Sequence, residues 1–548
     1  MVAATERAGL KGAWLDALLA PGPRYAGHVL DGRVRWKHPR IVLPELTNWD
    51  GRGLPELIRQ RLAGYESAGI KTPDYPACGG NSLLRNTACW VTSGNAGAGD
   101  KALRQLGDFR LQAPADSGDY GNVWELALAY DLLSLHTGLS PDLRRATEER
   151  LAGALGDYLL RLDGDSASLW HGRSSLAAQA WLAAIALTPG DPAHNDLIRR
   201  AQAHFLETIR AMRLSEARPE GYNYWINSRG LTLSLAAAAY LNGLEGAAQS
   251  DTVRNALERV GLWTVYATRP DHRVVQLGDE GPRRDLKDET RRVIDLIGQL
   301  TRNPVFSTYS RYLERVHGRE SYYRGYRWWF RLLNDPTVKP LPGIKPGSLA
   351  GLKHVLPRTE IFGRGAMGLF IARQGWGPDD TLTTLRAGHT LTHHGHYDAG
   401  HFTLYKGAPL AITNATYSGS IAAPNRIYYG IRTVSKNSLL VLRPGERIKP
   451  SRLFTMNVVG GGQRIVMPTG SAIRSVDHWL DNPRPRASPA RRCHRAGPSR
   501  SERIRLRPLG SDARLRQHHL RHAGTGRQGR AGTARVSVFA RRGPCGHP

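Results

Sequence analysis

The chain has 548 residues and a formal net charge of +29; 41% of its residues are hydrophobic. A chain of this length accommodates two or three domains, and this share of apolar residues excludes a wholly disordered protein. No run of about 18 apolar residues is present, which excludes a membrane-spanning helix at the level of sequence.

The strongly basic composition favours an anionic partner, either nucleic acid or an acidic polymer such as a polyuronate. The charge is unevenly distributed, because residues 484–548 contain 17 arginines, no lysine and only two acidic residues. This short segment therefore supplies a net +15, about half of the total. The rest of the chain is only moderately basic for its length.

Residues 1–48 are interpreted as an N-terminal extension. They carry charges of both signs and only a short apolar patch. This pattern lacks the order of charged region, apolar region and cleavage site that is typical of a secretory signal. The sequence as it stands predicts a cytoplasmic protein, and a periplasmic or secreted location stays open if the natural N-terminus is longer.

The chain contains four cysteines, Cys78, Cys89, Cys493 and Cys545, and no CxxC pair. The absence of such a pair argues against a structural zinc knuckle. Cys78 and Cys89 either form a disulfide or are two free thiols. Cysteine usage therefore leaves the redox compartment open.

Residues 49–338 have the apolar spacing of three and four residues that is typical of amphipathic and buried helices. Predicted helical segments are 122–135, 174–187, 195–212, 230–244, 252–267, 289–300 and 325–333. Several of these segments are rich in alanine and broadly apolar, which indicates helices packed on helices in layers. A ring of helix pairs fits this pattern better than a single four-helix bundle.

Residues 339–482 have a different pattern. The stretch 339–347 is rich in proline and glycine and is interpreted as a linker. Short alternating runs with β-branched residues then follow at 366–374, 381–388, 401–407, 409–417 and 437–444. These runs predict an antiparallel sheet or sandwich. The fold class is therefore a multidomain chain with an α part followed by a β part.

Residues 483–548 form the arginine-rich tail. One interpretation is a disordered basic extension that binds anions. The other, which we favour, is translation of GC-rich DNA in the wrong reading frame, because 17 arginines occur without a single lysine. Under that interpretation the tail carries no information about partners.

The segment HHGHYDAGHF, residues 393–402, places four histidines and one aspartate within ten residues. If it is extended, His394, His396 and Asp398 lie on one face. Such a set suits either a zinc site or a general base with an orienting carboxylate. The alternative is a polar strand edge whose histidines make local hydrogen bonds, but clustering of titratable groups favours a functional site.

Two segments of the helical part contain further candidates. In EGYNYW, residues 220–225, Tyr222 and Tyr224 either contact a sugar and transfer a proton, or pack at a helix end. In SLWHGRSS, residues 168–175, His171 and Arg173 precede an alanine-rich helix, whose N-terminus attracts anions. A simple N-cap formed by the serines of that segment is the alternative.

Taken together, these motifs resemble the heparinase II/III-like polysaccharide lyases, which include alginate and oligoalginate lyases. The stretch HGHYDAGHFTLYKGAPLAI, residues 394–412, resembles the β-domain signature of the family. EGYNYW resembles the segment of the catalytic tyrosine, and WHG resembles the Asn-His-Gly motif of the helical domain. The resemblance covers residues 36–480 and implies an incomplete α/α toroid at 49–338 followed by an antiparallel β-sandwich at 339–482.

The resemblance also implies roles for individual residues. Tyr224 is the catalytic tyrosine, His394 is the catalytic histidine from the β domain, and His171 holds and neutralises the substrate carboxylate. The remaining expected substrate contacts are Arg173, Tyr222, Glu220 and Arg432. The active site is expected in the cleft between the two domains, because both contribute residues.

This sequence departs from the family pattern at several positions. Trp170 stands where many members have asparagine before the histidine of the toroid. His396 matches a position that ligates zinc in some members, but Thr413 and Lys436 stand near or at the other ligand positions. We therefore expect no required cofactor and a zinc site that is absent or weak, with Lys436 replacing part of the positive charge. The β domain is also expected to end early, near residue 482.

The predicted function is cleavage of an anionic polysaccharide or oligosaccharide by β-elimination, with neither nucleic acid nor membrane as partner. The first rival is a glycoside hydrolase on an α/α toroid, which needs two carboxylates across the bond. Glu220 and Asp279 are its candidates. The second rival is a non-catalytic protein that binds polyanions. The sequence makes no prediction of oligomeric state.

Overall fold

The computed structural model describes most of the chain between residues 27 and 481. The described residues are 27–67, 80–114, 121–164, 169, 171–226, 229–280, 285–317, 331–363, 366–388, 394–411, 423–445, 461–463, 473 and 475–481. All of them lie within one compact unit, Met1–Ala487. The arginine-rich tail and most of the N-terminal extension lie outside the described residues.

Helices make up most of the described chain. They are α1 (Glu56–Ser67), α2 (Leu83–Ser93), α3 (Ala96–Asp108), α4 (Val123–Leu133), α5 (Pro141–Asp163), α6 (His171–Ala186), α7 (Pro192–Leu214), α8 (Tyr222–Ile226), α9 (Arg229–Gly243), α10 (Ser250–Ala267), α11 (Thr290–Thr301), α12 (Pro304–His317) and α13 (Val476–Asp481). Six of the seven predicted helical segments coincide with α4, α6, α7, α9, α10 and α11. Most of the seventh, 325–333, lies outside the described residues, and residues 331–333 form a 3-10 turn.

The alanine-rich helices α6 and α9 lie at the centre of the helical part. Almost every described side chain of both is buried. Small side chains allow the two helix axes to approach closely, and the larger residues around them then fill the space. Trp181 of α6 stacks on Phe205 of α7 with ring centroids 6.1 Å apart, and Phe205 contacts Tyr240 of α9 at 5.7 Å. This core holds the loops that carry the candidate site.

Polar caps define where several helices begin. Ser82, Asn95 and Ser140 each accept a hydrogen bond from a backbone N–H in the first turn of α2, α3 and α5. Such caps satisfy N–H groups that have no partner inside the helix. A proline in the first turn of α5 and α7 adds to the effect, because its fixed φ suits that position.

The described strands form two antiparallel sheets. A short pair joins β1 (Arg33–Val34) to β2 (Leu244–Glu245). A five-stranded meander follows the helices in the order β3 (Thr359–Phe362), β4 (Gly368–Arg373), β5 (Leu382–Ala387), β6 (Phe402–Lys406) and β7 (Ala408–Pro409). The predicted strands at 366–374, 381–388 and 401–407 are confirmed as β4, β5 and β6. The described residues within 339–482 therefore contain a single antiparallel sheet.

Two strand predictions have a different outcome. The run 437–444 is irregular rather than extended in a sheet, and its apolar side chains are exposed, with Leu439 at 80%. A hydrophobic strand needs a neighbouring strand or helix to cover it, and the apolar pattern alone does not supply one. Among the described residues of the predicted strand 409–417, only Pro409 lies in a strand, β7. Residues 412–422 lie outside the described part of the chain.

The sheet is tied to α10 and the residue that follows it by arginine side chains. Arg373 of β4 donates hydrogen bonds to the carbonyls of Tyr266 and Thr268 at 2.5 and 2.7 Å. Arg259 of α10 donates to the carbonyl of Ile361 in β3 at 2.7 Å. These contacts fix the sheet against the end of α10, from which the loop with Asp279 leaves. Residues of the helical and sheet parts therefore meet in one place.

Two further expectations concern single features. No helix among the described residues is long and apolar enough to cross a membrane. Cys89 is disulfide-bonded, so the alternative that it is a free thiol is wrong. The other three cysteines lie outside the described residues.

Candidate active site

Tyr224 lies on the short helix α8, which follows the loop after α7. Gly221 precedes this helix with φ +98°, a left-handed conformation that permits the sharp entry. Tyr222 and Trp225 of the helix point into the core, and the ring of Tyr224 stays half-buried. The guanidinium of Arg229, at the start of α9, lies 5.5 Å from the centroid of the Tyr224 ring. A positive charge at that distance from an aromatic face is attracted by it.

His394 comes from the loop between β5 and β6 and meets Tyr224. Its ring stacks on the tyrosine ring with centroids 4.4 Å apart and an interplanar angle of 23°. The Tyr224 hydroxyl lies 3.3 Å from Nδ1 of His394. The backbone of His394 has φ +55°, in the left-handed region. One residue from the helical part and one from the sheet part are thus brought side by side.

Asp279, in the loop between α10 and α11, is hydrogen-bonded to His394 below the surface. Its side chain is completely buried. Oδ2 accepts hydrogen bonds from His394 Nδ1 at 2.5 Å and from Arg426 Nη2 at 2.6 Å. Oδ1 accepts from His396 Nε2 at 2.9 Å. Two imidazoles and one guanidinium therefore converge on a single carboxylate.

The carboxylate of Asp279 remains ionised in this environment. Burial alone raises its pKa, but the hydrogen bonds from His394, His396 and Arg426 outweigh burial and hold the pKa well below its ordinary 3.8. Hydrogen bonds to the charged form of a carboxyl group always act in this direction. Asp279 therefore serves as a permanent negative charge and acceptor at neutral pH.

His396 lies behind His394 and is buried. Burial and the positive charge of Lys436 lower the pKa of His396 to about 4, so that the ring is neutral at neutral pH. The Lys436 ammonium donates to His396 Nδ1 at 2.8 Å and to the carbonyl of Gly430 at 2.9 Å. Burial lowers the pKa of Lys436 to about 8. Both ring nitrogens of His396 thus have a polar partner.

This geometry assigns the proton on the ring of His394. The ionised Asp279 oxygen 2.5 Å from Nδ1 requires a donor there, so Nδ1 carries the hydrogen. The lone pair of a neutral imidazole then resides on Nε2, which becomes the nitrogen able to accept a proton. A carboxylate that orients a catalytic histidine through Nδ1–H is a recurring device in enzymes. The arrangement is chemically suited to general base catalysis by His394 and proton donation by Tyr224.

The other predicted site residues lie deeper in the protein. Arg173 is buried and donates to His204 Nδ1 at 2.9 Å. The buried hydroxyl of Tyr222 lies 2.5 Å from Thr290 Oγ1 and accepts a bond from the amide of Lys287. Contact of this hydroxyl with a sugar would require these bonds to break.

Glu220 and Arg432 are both nearly inaccessible to solvent, at 2% and 3% exposure. Arg432 donates to the carbonyl of Gly461 at 3.4 Å. His171 is the first residue of α6, and its side chain lies outside what the structure describes. The substrate-binding roles of these residues, and of Arg173 and Tyr222, stay predictions.

The segment 394–400 contains turns and a bend but no strand, so the extended backbone that would place His394, His396 and Asp398 on one face is not present. His394 and His396 nevertheless converge, because both reach the same carboxylate of Asp279. Asp398 is directed elsewhere and accepts a bond from the buried guanidinium of Arg386 at 2.5 Å. The orienting carboxylate of the histidine is therefore Asp279 rather than Asp398.

The described residues do not fit a zinc ion at His396. Its Nδ1 accepts a bond from a lysine ammonium and its Nε2 is bonded to Asp279, so a metal would have to displace one of these partners. A lysine ammonium beside a divalent cation is also electrostatically unfavourable. Within the described ranges, no group of three or more His, Cys, Asp or Glu side chains is arranged to hold a metal. The expected ligand position near Thr413 lies outside those ranges.

Asp279 and Arg426 are the site residues that sequence reasoning missed in these roles. Asp279 was a candidate only for hydrolysis, and its contact with His394 spans 115 positions along the chain. A partial signal is the run LGDEG at 277–281, in which polar residues follow an apolar pair within a loop. Arg426 has no comparable signal, because its neighbours in the sequence give no indication of the loop that it contacts.

Comparison with known proteins gives a distant likeness only. No protein-family model and no curated protein matches this chain. Among solved structures, a mutant heparan sulfate lyase from Pedobacter heparinus is 14% identical over 72% of this chain, with a TM-score of 0.38. A heparinase III is 12% identical over 80% of this chain and 67% of its own, with a TM-score of 0.39. A second heparinase III gene product is 13% identical over 66% of this chain, with a TM-score of 0.40. The matched parts cover 64% of the first protein's length and 54% of the last one's.

Proposed function

We propose that this chain is a polysaccharide lyase that cleaves a uronic-acid-containing polysaccharide by β-elimination. The product would carry an unsaturated C4–C5 uronate at its new end. The observation that carries the proposal is the contact between the Tyr224 hydroxyl and the His394 imidazole, 3.3 Å apart, with Asp279 fixing the imidazole. The resemblance of the two motifs to heparinase II/III-like lyases points in the same direction.

The reaction needs a base and an acid on one sugar ring. The base removes the proton from C5, beside the carboxylate of the uronate. The electron pair of that C–H bond forms the C4–C5 double bond, the C4–O bond breaks, and the departing oxygen takes up a proton. No water enters the product. Base and acid each contribute about 10²–10⁴-fold when they are well positioned.

The tautomer of His394 suggests how the roles are divided. Its Nε2 holds the lone pair that accepts the C5 proton, and the charge that then develops on the ring is stabilised by the ionised Asp279. The Tyr224 hydroxyl protonates the leaving oxygen, and the phenolate is afterwards reprotonated at the expense of the His394 imidazolium. The reverse assignment, in which Tyr224 also acts as base, uses the same two groups and depends on the stereochemistry of the uronate.

The C5 carbanion spreads its charge onto the carboxylate, so positive charge near that group stabilises the transition state. His171 is proposed to fill this role on the basis of the family resemblance. Arg229 is itself buried, at 5% exposure, but its guanidinium lies against the Tyr224 ring, beside the proposed acid. Arg173 and Arg432 are buried, so they would act on the substrate at longer range.

Hydrolysis would require two carboxylic groups that reach the glycosidic bond from opposite sides. Glu220 is 2% exposed and Asp279 is 1% exposed. The oxygens of Asp279 also serve His394, His396 and Arg426. A carboxylate whose pKa lies well below 3.8 holds no proton to give to a leaving group. These observations support elimination over hydrolysis.

The test is incubation of the purified chain with alginate, heparan sulfate and hyaluronan while the ultraviolet absorbance of the conjugated uronate is followed. We expect absorbance to rise with one of these polymers, with alginate as the first substrate to examine. New reducing ends without that absorbance would contradict the proposal and favour hydrolysis. Retention on the polymer with neither signal would contradict it in favour of a binding protein.

A further inference from the structure

A chain of four polar groups extends inward from His394. Asp279 accepts the Nδ1–H of His394 on one oxygen and the Nε2–H of His396 on the other, at 2.5 and 2.9 Å. His396 Nδ1 in turn accepts a hydrogen bond from the Lys436 ammonium at 2.8 Å. Three of these groups, Asp279, His396 and Lys436, are nine-tenths or more buried. At this degree of burial none of the three offers a surface to a substrate.

We propose that Lys436 is a positioning residue. By donating to His396 Nδ1, it fixes the tautomer of His396. The Nε2–H of His396 then holds Asp279 in the orientation that keeps His394 Nε2 as the proton acceptor. The effect on turnover rests on the function proposed above, whereas the effect on the tautomers does not. A lysine ammonium has only donors, so it forces Nδ1 of the neutral imidazole to be the acceptor. The hydrogen on the ring then resides on Nε2, where it points at Asp279.

A neutral imidazole carries its hydrogen on the nitrogen that its partners select. Asp279 and Lys436 select the same tautomer of His396 from opposite sides of the ring, and without Lys436 only one of these two partners remains. If His396 carried the hydrogen on Nδ1, its Nε2 lone pair would face an oxygen of the ionised Asp279, which is repulsive. The carboxylate would then rotate or shift, and the 2.5 Å bond to His394 depends on its position. Buried networks of this kind depend on every member having its partner.

Charge and position both favour Lys436 in this role. The Lys436 ammonium, 2.8 Å from Nδ1, requires a lone pair on that nitrogen, so His396 is present as the neutral ring that needs a defined tautomer. Lys436 is also anchored by the carbonyl of Gly430 at 2.9 Å, which directs its ammonium. Partners of this outer kind commonly change activity by about 10–100-fold when they are removed.

The first measurement concerns the wild-type chain without substrate. We expect the imidazole ¹⁵N shifts of His396 to show a hydrogen on Nε2 and an acceptor at Nδ1, and those of His394 to show the opposite tautomer. The signals are assigned by their loss in His396→Gln and His394→Gln. A hydrogen on Nδ1 of His396 in the wild-type chain would overturn the proposal, and this result does not depend on lyase activity.

The second measurement uses Lys436→Met, which keeps the length of the side chain but has no donor, and Lys436→Gln, which keeps a neutral donor. We expect Lys436→Met to weaken the preference of His396 for its Nε2–H tautomer and to lower kcat about 10–100-fold with little change in KM. Lys436→Gln should restore a large part of the tautomer preference of His396 and of kcat. The matched control is Lys353→Met, at an exposed lysine, which should leave the tautomer of His396 and kcat unchanged.

The outcomes separate the two proposals. Tautomers that stay fixed in Lys436→Met would refute the positioning role, whether or not the chain is a lyase. Fixed tautomers in the wild type together with no unsaturated product from any polymer would refute the proposed function alone. If Lys436→Met fails to fold, the wild-type ¹⁵N shifts and Lys436→Gln decide, because the wild-type result needs no substitution.

Discussion

Asp279 Oδ2 lies 2.5 Å from His394 Nδ1, although the two residues come from a loop between helices and a loop between strands. This contact determines which nitrogen of His394 is available to the substrate. It also explains why a fully buried aspartate is present next to a histidine whose side chain is 8% exposed and a half-buried tyrosine. The four predictions below depend on different parts of this arrangement.

The first prediction concerns the proposed proton donor. Tyr224→Phe removes the hydroxyl and leaves the ring that stacks on His394, so the fold should be unaffected while product formation falls by about 10²–10⁴-fold. The measurement is the initial rate of ultraviolet absorbance with the polymer that the wild type cleaves. Circular dichroism checks that the melting temperature is unchanged.

The matched control for this variant is Tyr429→Phe. Tyr429 is 49% exposed, so loss of its hydroxyl should leave the rate within about twofold of the wild type. If Tyr224→Phe retained the wild-type rate as well, the tyrosine would not be the acid and the division of roles would be wrong.

Part of this site could be predicted from the sequence. Tyr224 and His394 were paired because their motifs resemble those of one family, although 170 positions separate them. The partner of His394 was not predicted, since period-two reasoning placed Asp398 beside it. That reasoning needs an extended backbone, whereas His394 has φ +55° and the segment turns. Asp398 therefore meets Arg386 of the neighbouring strand instead.

The helices, too, were predicted only in part from the sequence. Helices with a continuous apolar period, such as α4 and α10, were predicted within one or two residues. No prediction covered α3, whose glycines weaken the helical pattern, or α5, whose many charged residues interrupt it. These helices owe their stability to caps and to packing on their neighbours, and packing cannot be deduced from a short window of sequence. The toroid and the sandwich as complete architectures stay predictions.

The second prediction concerns the loop that carries Asp279. Gly278 has φ +57°, and a Cβ at that position would lie 2.8 Å from the carbonyl oxygens of His394 and Pro219. Gly278→Ala should therefore push apart the two segments that bring His394 and Tyr224 together. We expect a loss of stability well above 1 kcal/mol and a reduced rate, measured by urea unfolding and by the absorbance assay.

Gly246→Ala is a control with the same backbone penalty. Gly246 has φ +67°, but no atom lies within 4 Å of the added Cβ. It should lose only about 1 kcal/mol of stability and keep its activity. Equal effects of the two substitutions would mean that the strain of positive φ, and not the close approach to His394, governs the result at Gly278.

The third prediction concerns metal dependence. Both ring nitrogens of His396 have protein partners, one of them the Lys436 ammonium, so we expect no tightly bound zinc at this position. Dialysis against a chelator should leave the rate and the melting temperature unchanged, and added zinc should not raise them. Elemental analysis of the purified chain provides the independent check. Loss of activity on chelation that zinc restores would show that a metal is bound after all.

The fourth prediction concerns the dependence of stability on pH. The pKa of Asp279 in the folded chain lies well below its ordinary 3.8, because hydrogen bonds from His394, His396 and Arg426 outweigh burial. A carboxyl group with a depressed folded-state pKa stabilises the fold fully above its unfolded-state pKa. This contribution is lost as the pH falls below about 4 toward the folded-state pKa, since the unfolded chain then binds the proton more readily. The free energy of unfolding should therefore decline through this range in urea titrations.

Asp279→Asn isolates the contribution of this residue. Removing one partner of a buried ionic cluster costs about 3–5 kcal/mol, so the variant should be less stable than the wild type at pH 7. The difference between the two chains should shrink as the pH falls below about 4, because the wild type progressively loses what the variant lacks. The variant should also lose most lyase activity, because an amide no longer provides the charge that stabilises the His394 imidazolium. A stability difference that stays constant from pH 7 to pH 3 would contradict the depressed pKa and, with it, the role of Asp279 as a permanently ionised partner of His394.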